Sequence, residues 1–488
     1  MHAIHSRLAQ HFLDAFSGAE HEHFSHVQSQ PIQQPTAVIE NRELAMEMGF
    51  EQSLFDNPAN LALLSGNTIP NNIQPIALVY AGHQFGVWAG QLGDGRAMTL
   101  GEIEVAGELW DLQLKGAGTT PYSRFGDGRA VLRSSIREYL CSEAMHALGI
   151  DTTRALCLIN SSTPVYRESV ESAAVVCRVA RSHIRFGSFE HHHYRGQTGA
   201  LKALADYLLE RHFPTTKRDG EGYRELFENA VVKTAQTIAK WQAIGFSHGV
   251  MNTDNMSILG DTIDYGPFGF MDSYDPNFIC NHSDNRGRYA FKNQPSIGLW
   301  NLNALATALS SLMPSEHLIA ALERYESEYQ AGFLRAMASK LGLAQIEPGD
   351  RMMIDNLLAI LASNRVDYCN FFRALCHYRP DRDNRVIGDL FIQRSDFDHW
   401  SGDYNERLRN ETLDEELRER NMRAVNPKYI LRNYMAQEAI DAAQQGNYDL
   451  TRQLLMILQT PFDEHPEFER YAASPPDWAA ALSVSCSS

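Results

Sequence analysis

The sequence predicts an α+β protein of two lobes, a β-rich lobe followed by a larger helical one. Three observations lead there. Between Gln74 and Ala180, short apolar and alternating runs of strand character surround a single long helical pattern. From Gly199 onward almost every apolar pattern has helical spacing. Between these halves, from His248 to Asp272, lies a polar loop that carries Asp254, Asn255 and Asp264.

The elements follow in order. Residues 1–60 read as a polar extension with an amphipathic start around Leu8–Phe16. Pro75–Tyr80 is an apolar run, followed by Ala81-Gly82-His83-Gln84-Phe85-Gly86 and a turn-rich loop, Leu92-Gly93-Asp94-Gly95-Arg96. Met98–Ile103 and Leu109–Leu114 read as strands joined at Gly107. In the second, Trp110, Leu112 and Leu114 share one face, while Asp111, Gln113 and Lys115 share the other. After Gly116-Ala117-Gly118, the stretch Gly126-Asp127-Gly128-Arg129 repeats the earlier loop. Leu132, Ile136, Leu140, Ala144 and Leu148 then predict a helix over 131–148, with Glu138 in its middle. Strands are expected at Ala155–Ile159 and Ala173–Ala180, the latter carrying Arg178, with Arg185 soon after. Ser188–His193 reads as a crossover, and its three consecutive histidines as an exposed loop rather than a metal site, because neighbours in sequence cannot share one helix face. Helices are expected at Ala200–His212, Glu225–Ala243, Ile297–Leu312, Ser315–Leu341, Arg351–Leu361 and Val366–Cys376, with several more to about Leu458. The expected divisions are an N-terminal extension over 1–70, a nucleotide-binding lobe over 71–190, a helical lobe over 191–460 and a tail over 461–488.

Composition sets bounds on function. The chain has 488 residues, 44% of them hydrophobic, enough for two or three packing units. Its formal net charge of −17 opposes a nucleic-acid scaffold, whose footprint is a basic face. Seven scattered cysteines include no C-x-x-C pair, so a zinc knuckle or thioredoxin motif is not expected and a reducing, cytoplasmic setting is. The start, Met1-His2-Ala3-Ile4-His5-Ser6-Arg7, lacks a signal h-region, and no apolar run reaches membrane-spanning length. Neither nucleic acid nor membrane is an expected partner.

The chemistry centres on the loop. A short apolar strand, a turn at Gly260-Asp261 and a second strand ending at Asp264-Tyr265-Gly266 would bring Asn255 and Asp264 side by side in a hairpin. An amide oxygen and a carboxylate suit Mg²⁺ shared with nucleotide phosphates. Protein kinases use that pair, but their base lies five residues before the Asn. Here that position is Val250, and the available carboxylate is Asp254. Either catalysis is lost or the reaction is not ordinary γ-phosphoryl transfer. Gly93, Gly95 and Gly128 allow backbone N–H groups to close around phosphate, although such loops are also common hairpin turns. Lys115 is either a strand-end surface lysine or the partner of Glu138, as in the kinase Lys–Glu pair. Arg178 and Arg185 are either phosphate forks or members of surface ion pairs. His248 reads as a structural loop histidine. The order of the elements is that of a bilobal, protein-kinase-like fold.

The motifs Ala81–Gly86, Leu92–Arg96, Leu114–Arg129, His248–Ser257 and Asp264–Asp272 resemble, end to end, those of the selenoprotein O / YdiU family, which has a pseudokinase fold. The resemblance implies transfer of AMP from ATP to Ser, Thr or Tyr hydroxyls of protein substrates, with release of pyrophosphate and the nucleotide flipped relative to kinases. It also implies UMP transfer from UTP with Mn²⁺ among bacterial members. Carried over by position, Gly93, Gly95, Arg96, Lys115, Asp127, Gly128, Arg178 and Arg185 would bind ATP. Asp254 would accept the proton, Asn255 and Asp264 would hold Mg²⁺ or Mn²⁺, and Glu138 would orient Lys115. Some members carry selenocysteine near the C-terminus, where this chain has Cys486, so selenium chemistry is not expected. A transient Cys280–Cys486 disulfide that regulates activity is expected, with two free thiols as the alternative. The competing readings are a protein or small-molecule kinase and a catalytically dead nucleotide-binding scaffold.

Overall fold

Strand propensity in the first half produces ten strands: β1 (Phe24–His26), β2 (Thr36–Glu40), β3 (Ile76–Leu78), β4 (Ala81–Gln84), β5 (Val87–Gln91), β6 (Ala97–Val105), β7 (Glu108–Lys115), β8 (Ala130–Val131), β9 (Arg154–Tyr166) and β10 (Val170–Ala180). The computed structural model describes residues 4–485. Eight strands form one antiparallel sheet in the order β1-β3-β6-β7-β10-β9-β2, with β8 added to β10, while β4 and β5 make a separate hairpin. Register sets the site: Lys115 at the end of β7 lies between Ala97 of β6 and Val176 of β10, and Gln113 lies opposite Arg178.

Within the segment expected as a polar extension, residues 4–60 are built against this sheet and supply both its edges, β1 and β2. After those strands, the helices Arg42–Glu47 and Pro58–Leu64 place Leu44, Ala45, Leu63 and Leu64 over the outer face, against Met98, Leu100, Leu112 and Leu114. The apolar residues in this segment are too widely spaced to show a period, and only the sheet collects them. Glu102 in β6 joins the same segment, accepting hydrogen bonds from the backbone N–H groups of His11 and Phe12 at 2.9 and 3.0 Å.

The inner face of the sheet is covered by the helix Leu132–Ala147, which matches the expected span. Asp111 and Gln113 are therefore buried despite their polarity. Asp111 pairs with Arg211 at 2.7 Å and accepts a bond from the backbone of His183 at 3.0 Å, as a buried carboxylate must.

The crossover after β10 is a helix, Phe186–Tyr194, and this corrects the reading of His191–His193 as an exposed loop. The helix packs under the β4–β5 hairpin and against the helix Gln294–Leu309, so His191 and His192 are buried, with His192 against His23. Among the described residues no group of three or more His, Cys, Asp or Glu is placed to hold a metal ion.

The helical half is built on Gly220–Ile244, packed along Ser315–Lys340 and Gln294–Leu309, with further helices to Asp449–Gln459. The architecture is thus α+β, an antiparallel sheet followed by a large helical region. No helix of the described residues is long and apolar enough to cross a membrane.

Candidate active site

Two short strands, β11 (Phe246–Ser247) and β12 (Gly269–Phe270), pair and hold the ends of the polar loop. The hairpin strands expected on either side of Gly260 do not form. Ser257 bridges instead to Arg185 and Thr262 to Thr152, so this backbone is paired by the segments before and after β9 and β10. The turn itself is present: Gly260 has φ +78°, and a Cβ there would lie 2.5 Å from Lys233. Asn255 and Asp264 meet all the same, with Asn255 Nδ2 donating to Asp264 Oδ2 at 3.1 Å. Asp264 takes a left-handed φ of +59°, uncommon for a residue with a side chain and a frequent mark of functional loops.

A chain of alternating charges crosses the cleft. Lys115 pairs with Glu138. Glu138 Oε1 accepts from Arg178 Nε at 2.5 Å. Arg178 Nη2 lies 3.1 Å from Asp264 Oδ1, and Arg185 Nη1 lies 2.5 Å from Asp264 Oδ2. Glu138, Arg178 and Arg185 are buried and Lys115 and Asp264 are largely so, which removes the surface readings of Lys115, Arg178 and Arg185. Burial alone would raise the Asp264 carboxyl, but the Arg185 and Arg178 guanidiniums outweigh it and hold it well below the usual carboxylate range. Glu138 is likewise drawn down to about 2 against its burial by Arg178 and Lys115. Burial lowers Lys115 to about 8.

The cavity beside this network is about 540 Å³. Gly93, Gly95, Arg96, Lys115, Asp127, Gly128, Arg178, Arg185, Asp254, Asn255 and Asp264 line it, and Glu138 stands behind Lys115. Arg96 makes no ion pair among the described residues, and burial lowers its pKa, so it is a desolvated cation without a carboxylate. The two loops owe their glycines to packing. A Cβ on Gly93 would lie 2.4 Å from the Tyr122 ring, and one on Gly128 would lie 2.2 Å from the Gly118 carbonyl. Asp94, between the glycines, turns away and accepts from the backbone N–H of Leu78 at 3.1 Å. Asp127 sits at the rim in a two-pronged pair with Arg167, at 2.8 and 2.9 Å. Arg167, in the turn between β9 and β10, was not singled out from sequence because nothing local marks it.

Asp254 lies at the floor. Gln84 Nε2 donates to its Oδ2 at 3.1 Å, while its buried Oδ1 has no hydrogen-bond partner among the described residues. Burial raises its pKa to about 6. The β4–β5 hairpin brackets this loop. His83 N donates to Thr253 Oγ1 at 2.7 Å, Phe85 N donates to Asn252 Oδ1 at 3.0 Å, and a Cβ on Gly82 would lie 2.7 Å from Asp254 Oδ1. The roles of Gly82 and Gln84 were invisible locally, although their motif was conspicuous. The ionised Asp264 carboxylate and the adjoining Asn255 amide are hard donors that fit a small divalent cation shared with phosphates.

His248 is structural, its Nε2 bonded to the Ile263 carbonyl at 2.8 Å. Cys280 is buried, lies 3.4 Å from the Ser247 carbonyl, and has its thiol pushed up to about 12 by burial. The tail reaches its neighbourhood, with the Val484 carbonyl accepting from His282 N at 2.8 Å and Ser485 lining the cleft. Cys486 lies outside the described residues, and the six cysteines within them are free.

The profile of the family described as protein adenylyltransferase SelO matches residues 6–459. A protein nucleotidyltransferase YdiU of Vibrio cholerae is 50% identical, over 98% of this chain and 99% of its own length. Namesakes from Myxococcus xanthus and Aliivibrio fischeri are 52% and 49% identical, over 88% and 95% of this chain and 89% and 96% of theirs. The chain is therefore an enzyme of the nucleotidyltransferase class. It belongs to the SelO family of protein adenylyltransferases.

Proposed function

We propose that the cleft binds ATP, and that Asp254 activates a Ser, Thr or Tyr hydroxyl of a protein substrate for attack on the α-phosphorus. The hydroxyl oxygen forms the new P–O bond, its proton passes to Asp254, the bond between the α-phosphorus and the bridging oxygen breaks, and pyrophosphate leaves. The single observation carrying this reading is the buried Asp254 carboxyl in the lining of the cleft, with Oδ1 unpartnered among the described residues, in a loop whose kinase base position holds Val250. Arg96, Lys115 and the Gly93–Gly95 and Asp127–Gly128 backbones hold the phosphates, with Arg178 and Arg185 setting the position of Asp264. Glu138 orients Lys115 and keeps it charged, since that carboxylate raises the lysine pKa against burial.

Asn255 and Asp264 would hold Mg²⁺ or Mn²⁺, which would supply positive charge against the phosphates. UTP as an alternative donor is part of the same proposal, as are a kinase-like division into lobes over 71–190 and 191–460 and redox control through Cys280 and Cys486. The buried, unreactive Cys280 requires local opening before any bond to the tail can form.

Parallel incubations with ATP labelled at the α- or the γ-phosphate test the reading. Protein label is expected from the α position alone. Label from the γ position would establish a kinase, and label from neither a scaffold.

A further inference from the structure

Next to the nucleotide cleft lies a second open basin of about 580 Å³, and Phe85 lines both. Phe85 is held in an unfavourable conformation at this junction. Its φ is +50°, and its N–H is shared between Asn252 Oδ1 and the Tyr289 hydroxyl, each at 3.0 Å. Phe85 remains 39% exposed. Phe85 and Gly86 form the two-residue turn between Gln84 and Val87, which requires a positive φ at both positions, and this turn holds the Phe85 ring between the two cavities. Gly86 follows with φ +79°, and a Cβ there would lie 2.9 Å from the Arg288 guanidinium. The glycine therefore lets Arg288 lie across the hairpin, 4.8 Å over the Trp300 ring.

The charge of the basin is unusual for this chain. The protein has a net charge of −17, and most of its arginines are paired with carboxylates. Arg286 and Arg288 pair with none among the described residues, and Arg288 Nε is buried without a hydrogen-bond partner. The acid in the lining, Asp284, is already used, because its oxygens accept from Arg288 N and Tyr289 N at 3.0 and 2.7 Å. On the outer side of the hairpin, Val87 and Trp88 add exposed apolar surface.

We infer that this basin docks the acceptor segment of the protein substrate, an extended acidic stretch whose hydroxyl crosses Phe85 to reach Asp254 and whose carboxylates pair with Arg286 and Arg288. The inference rests on the transfer reading for the identity of its occupant. Two partly exposed ion pairs correspond to about a tenfold preference for acidic over basic sequences.

The test separates docking from chemistry. Short fluorescent peptides carry a central phenylalanine, which cannot accept AMP, flanked by glutamates in one and lysines in the other. Fluorescence anisotropy at low salt should show the glutamate peptide binding about tenfold tighter, and Arg286→Glu combined with Arg288→Glu should reverse the order. Binding of a fluorescent ATP analogue reports whether the double variant is folded. If it is not, Arg286→Glu alone, at an exposed position, should narrow the preference. Equal binding of the two peptides by the wild-type protein, or an order unchanged in a folded variant, overturns the docking site. Failure of α-label transfer with a preserved peptide order would instead overturn the transfer reading and leave acidic-segment binding in place.

Discussion

Replacing Glu138 with glutamine tests the charge network that crosses the cleft. Glu138 is buried between Lys115 and Arg178. Its carboxyl lies near 2 in the folded protein, against an ordinary value of 4.5. That difference corresponds to about 3 kcal/mol of folding stability supplied by the charged form at neutral pH. Removing one partner from a buried ion network costs about 3–5 kcal/mol by general experience, a consistent figure. Because the folded pKa is depressed, the contribution is complete above the unfolded value and is lost as pH falls through about 2. Urea unfolding near neutral pH, followed by tryptophan fluorescence, should show Glu138→Gln less stable by about 3 kcal/mol. The deficit should shrink as both proteins are taken below the carboxylate range. A loss under about 1 kcal/mol, the worth of a surface pair, would refute the view that this carboxylate anchors Lys115 and Arg178.

Asp254→Asn should lower AMP transfer by about 10²–10⁴-fold while leaving nucleotide affinity near normal; a turnover equal to wild type would remove Asp254 from the chemistry. Gly93→Ala forces a side chain onto a φ of +144° and into the Tyr122 ring, and should cost about 3 kcal/mol, read as a lower melting temperature. His23 is buried with both ring nitrogens unpartnered among the described residues, and burial, then His192 and His191, lower its pKa to about 3. Since the unfolded ring takes up a proton below about 6.5, stability should fall as pH drops, by about 1.4 kcal/mol at about pH 5.5. His23→Phe should flatten that slope in paired denaturation curves, and an unchanged slope would assign the acid sensitivity elsewhere. Chelation with EDTA should abolish transfer, with Mg²⁺ or Mn²⁺ restoring it; full activity in excess chelator would exclude the Asn255–Asp264 metal site.

Local pattern was enough to reveal the strands around Lys115, the helix carrying Glu138 and the long C-terminal helices, because each is encoded by side chains two to four residues apart. The polar loop was equally legible: Asn255 and Asp264 do meet, though through bridges to Arg185 and Thr152 and not through their own hairpin. Tertiary structure alone decided four things. It turned residues 4–64 into the edges and outer cover of the sheet, because their apolar groups become continuous only against β6 and β7. It buried His191 and His192 beneath the β4–β5 hairpin. It tied Asp127 to Arg167, forty residues away. It brought Gln84 to Asp254 across 170 residues. Such pairings depend on how two halves of a chain pack, and no short-range periodicity records them.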